Sequence, residues 1–137
     1  MDLDLHENDI SALVVDAALE VHRQLGGAGL IERVYEEALY LELTSRGLEV
    51  ARQVSVAILY KGRQLGNNLR LDMLVERRVV VECKATTEDL HVHASQALTY
   101  LRATGLHLAL VINFGRPRVT KSIRRVVNNL PPRACPP

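Results

Sequence analysis

Two acidic residues and a lysine stand on neighbouring strand-like segments in the middle of the chain. Asp72 lies in a segment where apolar and polar residues alternate, and Glu82 and Lys84 lie in the next, largely apolar segment. If the two segments form an antiparallel hairpin centred on Arg77, Asp72 lies directly opposite Glu82, with Cβ atoms about 5 Å apart. Residues two apart on a strand share a face, so Lys84 joins the pair. We expect these three side chains to converge at one end of the hairpin.

Two carboxylates and an ammonium on an apolar strand pair require a compensating partner, because unpaired buried charge is costly. A divalent cation such as Mg²⁺ or Mn²⁺ relieves the repulsion between two ionised carboxylates and takes only a few protein oxygens. It would lower the pKa of bound water and polarise a phosphate, while Lys84 oriented the hydroxide or neutralised developing charge. A salt-bridged group of exposed strand residues is the alternative that the residue types leave open.

The periodicity of apolar residues predicts the elements that position this trio. In chain order they are helices over 9–25 and about 31–46, strands over 49–60, 69–75 and 79–84, a helix over about 92–104, a strand over 107–113 and a short basic helix over 119–129. Gly66-Asn67-Asn68 predicts a break before the second strand, whose four apolar residues are expected to face one way. Asn8 or Asp9 is the expected N-cap of the first helix. This order predicts an α/β fold in which helices pack on a mixed sheet.

The length and composition fit one soluble domain over residues 1–130, followed by a Pro-rich flexible tail over 131–137. Aromatic residues make up 4% of the 137 residues, which argues against an aromatic base-stacking platform. No apolar run approaches the roughly 20 residues that cross a bilayer, and the acidic N-terminus is unlike a signal peptide. We therefore expect a cytoplasmic protein that does not bind membranes. The two cysteines cannot form a zinc site alone, and Cys83 is expected to be buried.

The charge is distributed unevenly along the chain. All 16 Asp and Glu residues lie within residues 1–89, whereas residues 90–137 carry no acid. A basic segment beside an acidic one suits a protein that grips a polyanion and holds cations elsewhere, although a solvated basic surface has the same composition. The candidate nucleic-acid-binding residues are Arg116, Arg118, Lys121, Arg124 and Arg125.

Two sequence patterns resemble those of known families. Asp72, followed after nine residues by Glu82-Cys83-Lys84, resembles the PD-(D/E)XK nuclease signature, with Leu71 in the place of its Pro. GLIERVY at 29–35 fits G-x-x-E-x-x-Y. Together with AALEVHRQLG, RLDMLVERRVVVECKA, HVHASQALTYLRATG and LALVINFG, it resembles the GxxExxY protein family of bacteria and archaea over residues 10–127.

The resemblance implies a restriction-endonuclease-like αβββαβ core with an extra N-terminal helix. It also implies that Asp72 and Glu82 are metal ligands, that Lys84 is the catalytic lysine, and that Glu32 on the second helix completes the metal site. A carboxylate that stabilises the helix dipole is the alternative for Glu32. Tyr35 shares the apolar stripe of that helix, so core packing is its expected role.

Gln96 and Tyr100 resemble the Q-x-x-x-Y motif of RecB-like exonuclease domains. Residues four apart on a helix share one face, so both side chains could reach the strand ends that carry the acids. A solvent-facing amide and a half-buried tyrosine are the alternative.

These observations favour a Mg²⁺- or Mn²⁺-dependent nuclease that acts on nucleic acid, with DNA the expected substrate. A non-catalytic module of the same fold that binds nucleic acid or protein is the alternative, and the intact Asp72, Glu82, Lys84 and Gln96 favour the enzyme. A small-molecule hydrolase is less favoured because no pocket motif is visible. With no separate DNA-reading domain, sequence specificity would need a homodimer or a protein partner.

Overall fold

The computed structural model describes residues 5–27, 29–88 and 90–133. Its elements are α1 Glu7–Leu25, α2 Glu32–Ser45, β1 Val50–Tyr60, β2 Arg63–Val75, β3 Val79–Lys84, α3 His91–Thr104, β4 Leu108–Asn113, a 3₁₀ turn at Val119–Lys121, and β5 Ile123–Val127. The strands form one sheet in the order β1-β2-β3-β4-β5, in which only β3 and β4 are parallel. The predicted α/β fold, a mixed sheet flanked by helices with an extra N-terminal helix, is confirmed.

The sheet separates two apolar cores. α1 and α2 cover one face, where Tyr35 is fully buried and stacks on Phe114 with ring centroids 4.9 Å apart. The Tyr35 hydroxyl donates to the carbonyl of Gly26 at 2.9 Å, which ties α2 to the end of α1. α3 covers the other face through Ala97 and Leu101. The structure thus places Tyr35 in the core, as the apolar stripe predicts.

The hairpin register predicted for β2 and β3 is confirmed from the turn as far as Met73 and Val81, whereas the predicted direct pair of Asp72 with Glu82 is not part of the ladder. Val75 pairs with Val79 and Met73 pairs with Val81, so the turn is centred on Arg77. Both faces of β3 are buried by helices, which explains why its sequence is nearly continuously apolar.

The break expected at Gly66-Asn67-Asn68 is wrong, because β2 runs without interruption through these residues. Asn68 pairs with Ala57 of β1 and Arg63 pairs with Tyr60, whereas Gly66 and Asn67 have no partner in this ladder. A shift in register between Ala57 and Leu59 absorbs the irregularity. The turn-forming residues thus lie at an irregularity of the ladder, with regular pairing to β1 on both sides of it.

The basic helix expected over 119–129 is also wrong. A single 3₁₀ turn at Val119–Lys121 leads into β5, which pairs antiparallel with β4. Ile123 lies opposite Ile112 at one end of this ladder and Val127 lies opposite Leu108 at the other. β-Branched residues favour the strand, and the long-range pairing with β4 decides between the two structures.

α1 begins earlier than expected, and His6 rather than Asn8 or Asp9 is its N-cap. The His6 ring accepts a hydrogen bond from the amide of Asn8, while the Asp9 carboxylate accepts one from the amide of His6. Asp9 also forms an ion pair with Arg133 at 2.7 Å, so the described start of the Pro-rich segment contacts α1. Residues 134–137, including Cys135, lie outside the described residues. In the part of the chain described, no helix is both long and apolar enough to span a membrane.

Candidate active site

The open end of the β2–β3 hairpin brings Asp72 and Glu82 together. The last regular pair is Met73 with Val81, and beyond it the backbones are linked through side chains. The amide of Asp72 donates to Oε1 of Glu82 at 3.2 Å, and the amide of Cys83 donates to Oδ2 of Asp72 at 3.0 Å. Each carboxylate is therefore held by the other strand's backbone.

The four alternating apolar side chains of β2 pack into one core before Asp72 and into the other core after it. Met73 and Val75 pack with the α1–α2 core, whereas Leu69 and Leu71 pack with the α3 core. The expectation that all four point one way is therefore wrong. At the same point the regular pairing of β1 with β2 is interrupted, because Gln53 and Asp72 form no pair. Asp72 thus stands at a bend of the sheet.

Glu82 is a buried acid, with 7% of its surface exposed. Burial, followed by the charge of Asp72 and a hydrogen bond with its carboxyl group, raises the pKa of Glu82 from 4.5 to about 8. The raised pKa favours the protonated form of Glu82 at neutral pH when no cation is bound. The thiol of Cys83 lies in the apolar core below, and burial raises its pKa well above the usual value.

Lys84 and Glu32 face each other at the edge of this pair. The Lys84 Nζ lies 3.8 Å from Oε1 of Glu32, with one-fifth of the lysine side chain and about half of the glutamate side chain exposed. Partial burial raises the pKa of Glu32; the charge of Lys84 opposes this effect and that of Asp72 adds to it. α2 therefore brings an acid to the same cluster, where it contacts the lysine.

α3 contributes Gln96 and Tyr100 from the other side of the sheet. Burial raises the pKa of the Tyr100 hydroxyl, and the charges of Glu82 and Asp72 add to the effect, whereas a hydrogen bond with Gln96 lowers it. Gln96, Tyr100 and the acid pair thus lie within electrostatic reach of one another. Four elements, α2, β2, β3 and α3, converge on one site.

The five basic candidates do not lie together. Arg116 and Lys121 line a pocket of about 520 Å³ beside Asn113, which pairs with Lys84 on the adjacent strand. Arg118 lines a different pocket, beside α1.

Arg124 and Arg125 lie opposite Val111 and Leu110, respectively, and so project from opposite faces of β5. Arg125 hydrogen-bonds the side chain of Asn8 at the start of α1. The structure thus separates the arginine pair that a helix would have kept close.

The donor set of the acid pair fits a hard divalent cation. Asp72 and Glu82 supply carboxylate oxygens, which suit Mg²⁺ or Mn²⁺, and a cation can displace the proton that the raised pKa of Glu82 favours. Among the described residues, no three or more His, Cys, Asp or Glu side chains are grouped so as to hold a metal ion. Glu32 accordingly stands as a neighbour of Lys84 in this geometry.

Two polar residues beside the site were not identified as candidates from the sequence. Glu36 on α2 is buried and contacts β1. Asn113, 1% exposed, bonds both the amide and the carbonyl of Thr86 and so fixes the segment that follows Lys84. A polar residue at the end of a buried apolar strand was the available indication for Asn113, whereas Glu36 resembled its exposed neighbour Glu37.

Comparison with known proteins gives one match. A family model described as the PD-(D/E)XK nuclease superfamily matches residues 8–126. Neither the curated proteins nor the solved structures that were searched gave a match.

Proposed function

We propose that this chain, which belongs to the PD-(D/E)XK nuclease superfamily, is a divalent-metal-dependent nuclease whose active site contains Asp72, Glu82 and Lys84. Members of this superfamily generally hydrolyse phosphodiester bonds, and a nucleic acid is the substrate class that membership implies. The proposal adds the residues, the metal and DNA as the substrate. We also propose that the chain belongs to the GxxExxY family, which the segment GLIERVY resembles.

The observation that carries the proposal is that the Asp72 and Glu82 carboxylates each accept a hydrogen bond from a backbone amide of the opposite strand. Two ionised carboxylates this close together in a mostly apolar environment repel each other, and a divalent cation relieves that repulsion. Asp72 and Glu82 would hold Mg²⁺ or Mn²⁺, which when bound supplies Lewis acidity toward a phosphate and lowers the pKa of water.

The remaining side chains have separate roles. The ammonium of Lys84 stabilises negative charge that develops on the phosphate, and Glu32 orients that ammonium. Gln96 and Tyr100 supply an amide and a hydroxyl beside the acids, suited to binding phosphate oxygens.

Arg116 and Lys121 supply positive charge next to the strand that carries Lys84. Adjacent strands are about 4.8 Å apart, so a nucleic-acid backbone that reached Lys84 would also approach this pocket. Such contacts to phosphates are independent of base sequence. We propose DNA as the polymer bound, and cytoplasmic residence with a homodimer or protein partner for sequence specificity.

A cleavage assay tests the function. Purified wild-type protein is incubated with supercoiled plasmid in Mg²⁺, Mn²⁺ or EDTA, beside Glu82→Gln and the matched control Glu37→Gln, which alters an exposed acid of α2. We expect metal-dependent cleavage by the wild type and by Glu37→Gln, and none by Glu82→Gln.

Cleavage by Glu82→Gln at the wild-type rate would show that the activity lies elsewhere or comes from a contaminant. Metal-independent DNA binding without cleavage by any of the proteins would instead favour the non-catalytic module.

A further inference from the structure

Glu36 is a buried acid that the proposed chemistry does not use. It lies one helical turn after Glu32 and is 4% exposed. Its Oε1 accepts a hydrogen bond from the side-chain amide of Gln53 at 2.8 Å, and its Oε2 lies 3.7 Å from the Arg52 guanidinium. The Arg52 guanidinium also lies over the ring of Tyr40, 5.2 Å from the centroid. α2 therefore contacts two successive residues of β1.

Successive residues of a regular strand point to opposite faces, so one acid could not contact both. The contact exists because Gln53 has a φ of 52°, in the left-handed region that a non-glycine residue seldom occupies. Such a conformation is strained in a non-glycine residue and persists only where surrounding contacts enforce it. The Glu36 carboxylate provides that contact.

The position of Gln53 connects it to the acid pair. Arg52 pairs with Met73 and Val54 pairs with Leu71, and between these two pairs the ladder omits Gln53 and, opposite it, Asp72. This is the point at which β2 changes from one core to the other. It is also where the amide of Asp72 donates to Glu82 rather than continuing a regular ladder.

We propose that Glu36 is a positioning residue that acts through Gln53: by holding β1 in a left-handed bend opposite Asp72, it places the Asp72 carboxylate against Glu82 for metal binding. This inference rests on the proposed function, because it assigns the acid pair to a metal. Partners that orient metal ligands typically change metal affinity about 10- to 100-fold when they are removed.

Two substitutions of Gln53 separate the bend from the loss of a side chain. Gln53→Gly and Gln53→Val both remove the side-chain amide that contacts Glu36. Glycine adopts a φ of 52° freely, whereas the β-branched valine resists it. We expect the calorimetric Mn²⁺ dissociation constant to rise by roughly threefold or less in Gln53→Gly and by about tenfold or more in Gln53→Val.

Glu36 supplies an independent pair of variants. Glu36→Gln retains an oxygen that can accept the Gln53 hydrogen bond, whereas Glu36→Ala does not. We expect the glutamine variant to recover most of the Mn²⁺ affinity that the alanine variant loses, and the exposed control Glu37→Ala to match the wild type. Thermal unfolding in EDTA shows whether a variant is folded.

Hydrogen exchange gives a readout that needs no metal. In the wild type the amides of Asp72 and Cys83 are bonded to the acid pair and should exchange slowly. We expect faster exchange at these two amides in Gln53→Val and Glu36→Ala, with β4 amides unchanged.

Equal affinities and exchange rates for Gln53→Gly and Gln53→Val, or for Glu36→Ala and wild type, would overturn the positioning role. If Asp72→Ala still abolished Mn²⁺ binding in that case, the proposed function would stand without the positioning role of Glu36. Failure of the wild type itself to bind Mn²⁺ would overturn both.

Discussion

Asp72 and Glu82 are linked across the open end of the β2–β3 hairpin by two hydrogen bonds from opposite backbones. The Asp72 amide donates to Glu82, and the amide that follows Glu82 donates to Asp72. The two carboxylates are therefore oriented by the main chain. Because their rotamers are already restricted, they lose less conformational entropy on metal binding than freely rotating side chains would. A site held in this way is preorganised for an ion before the ion arrives.

The raised pKa of Glu82 predicts how stability depends on pH without metal. The folded state binds this proton more tightly than the unfolded chain, whose pKa is near 4.5. The contribution of this proton to the free energy of unfolding is therefore complete below pH 4.5 and is lost as the pH rises through about 8. We expect the unfolding temperature in EDTA to fall across this range.

Glu82→Gln is the control for this pH dependence, because it keeps the shape of the side chain and cannot ionise. Thermal unfolding followed by circular dichroism should show a smaller decrease with pH in this variant than in the wild type. Parallel pH profiles for the two proteins would mean that the fold does not raise the pKa of Glu82.

Substitution of Lys84 should separate turnover from metal binding. Removing a group that stabilises transition-state charge typically costs about 10²–10³ in kcat. We expect a loss of this size in Lys84→Ala, with a much smaller change in Mn²⁺ affinity, because the ammonium contacts Glu32 rather than holding the ion. Single-turnover cleavage and Mn²⁺ calorimetry measure the two effects. Lys61→Ala, on the exposed β1–β2 turn, is the matched control. If Lys84→Ala lost more Mn²⁺ affinity than turnover, the role of Lys84 in stabilising transition-state charge would be contradicted.

The pocket beside β4 predicts a salt-dependent contact with nucleic acid. Binding to duplex DNA should weaken with salt at a log–log slope of about −0.9 per phosphate neutralised. Replacing Arg116 and Lys121 with Ala should flatten the slope by about one to two units on every sequence. A fluorescence-anisotropy titration in Ca²⁺, over a range of salt concentrations, measures it.

Arg125→Ala is the matched control for this titration, because Arg125 bonds Asn8 on the face of the sheet covered by α1. We expect its slope to equal that of the wild type. If the Arg116/Lys121 variant also kept the wild-type slope, this pocket would not be the nucleic-acid contact.

The sequence predicted the part of the site that depends on local pairing. The alternation in β2 and the short turn at Arg77 fix the register, and from the register the approach of Asp72 to Glu82 follows. The apolar stripe of α2 likewise predicted that Tyr35 would be buried. Short-range geometry decides these features, so a single sequence contains enough information for them.

The features that the sequence missed depend on contacts between distant segments. β5 is a strand because β4 offers it a ladder, and β2 passes through Gly66-Asn67-Asn68 because β1 pairs with it. The left-handed Gln53 needs Glu36, 17 residues earlier, to hold it. No local pattern encodes that pairing, and the change of face at Asp72 follows from it.

The central claim is that Asp72 and Glu82 together hold the metal ion that cleavage requires. Calorimetric titration of Mn²⁺ into metal-free protein at pH 7 tests it most directly, with wild type compared with Asp72→Ala and the exposed control Glu37→Ala. We predict saturable binding by the wild type and the control, with release of a proton from Glu82, and no binding by Asp72→Ala. Binding of Mn²⁺ by Asp72→Ala with the wild-type affinity would contradict the account.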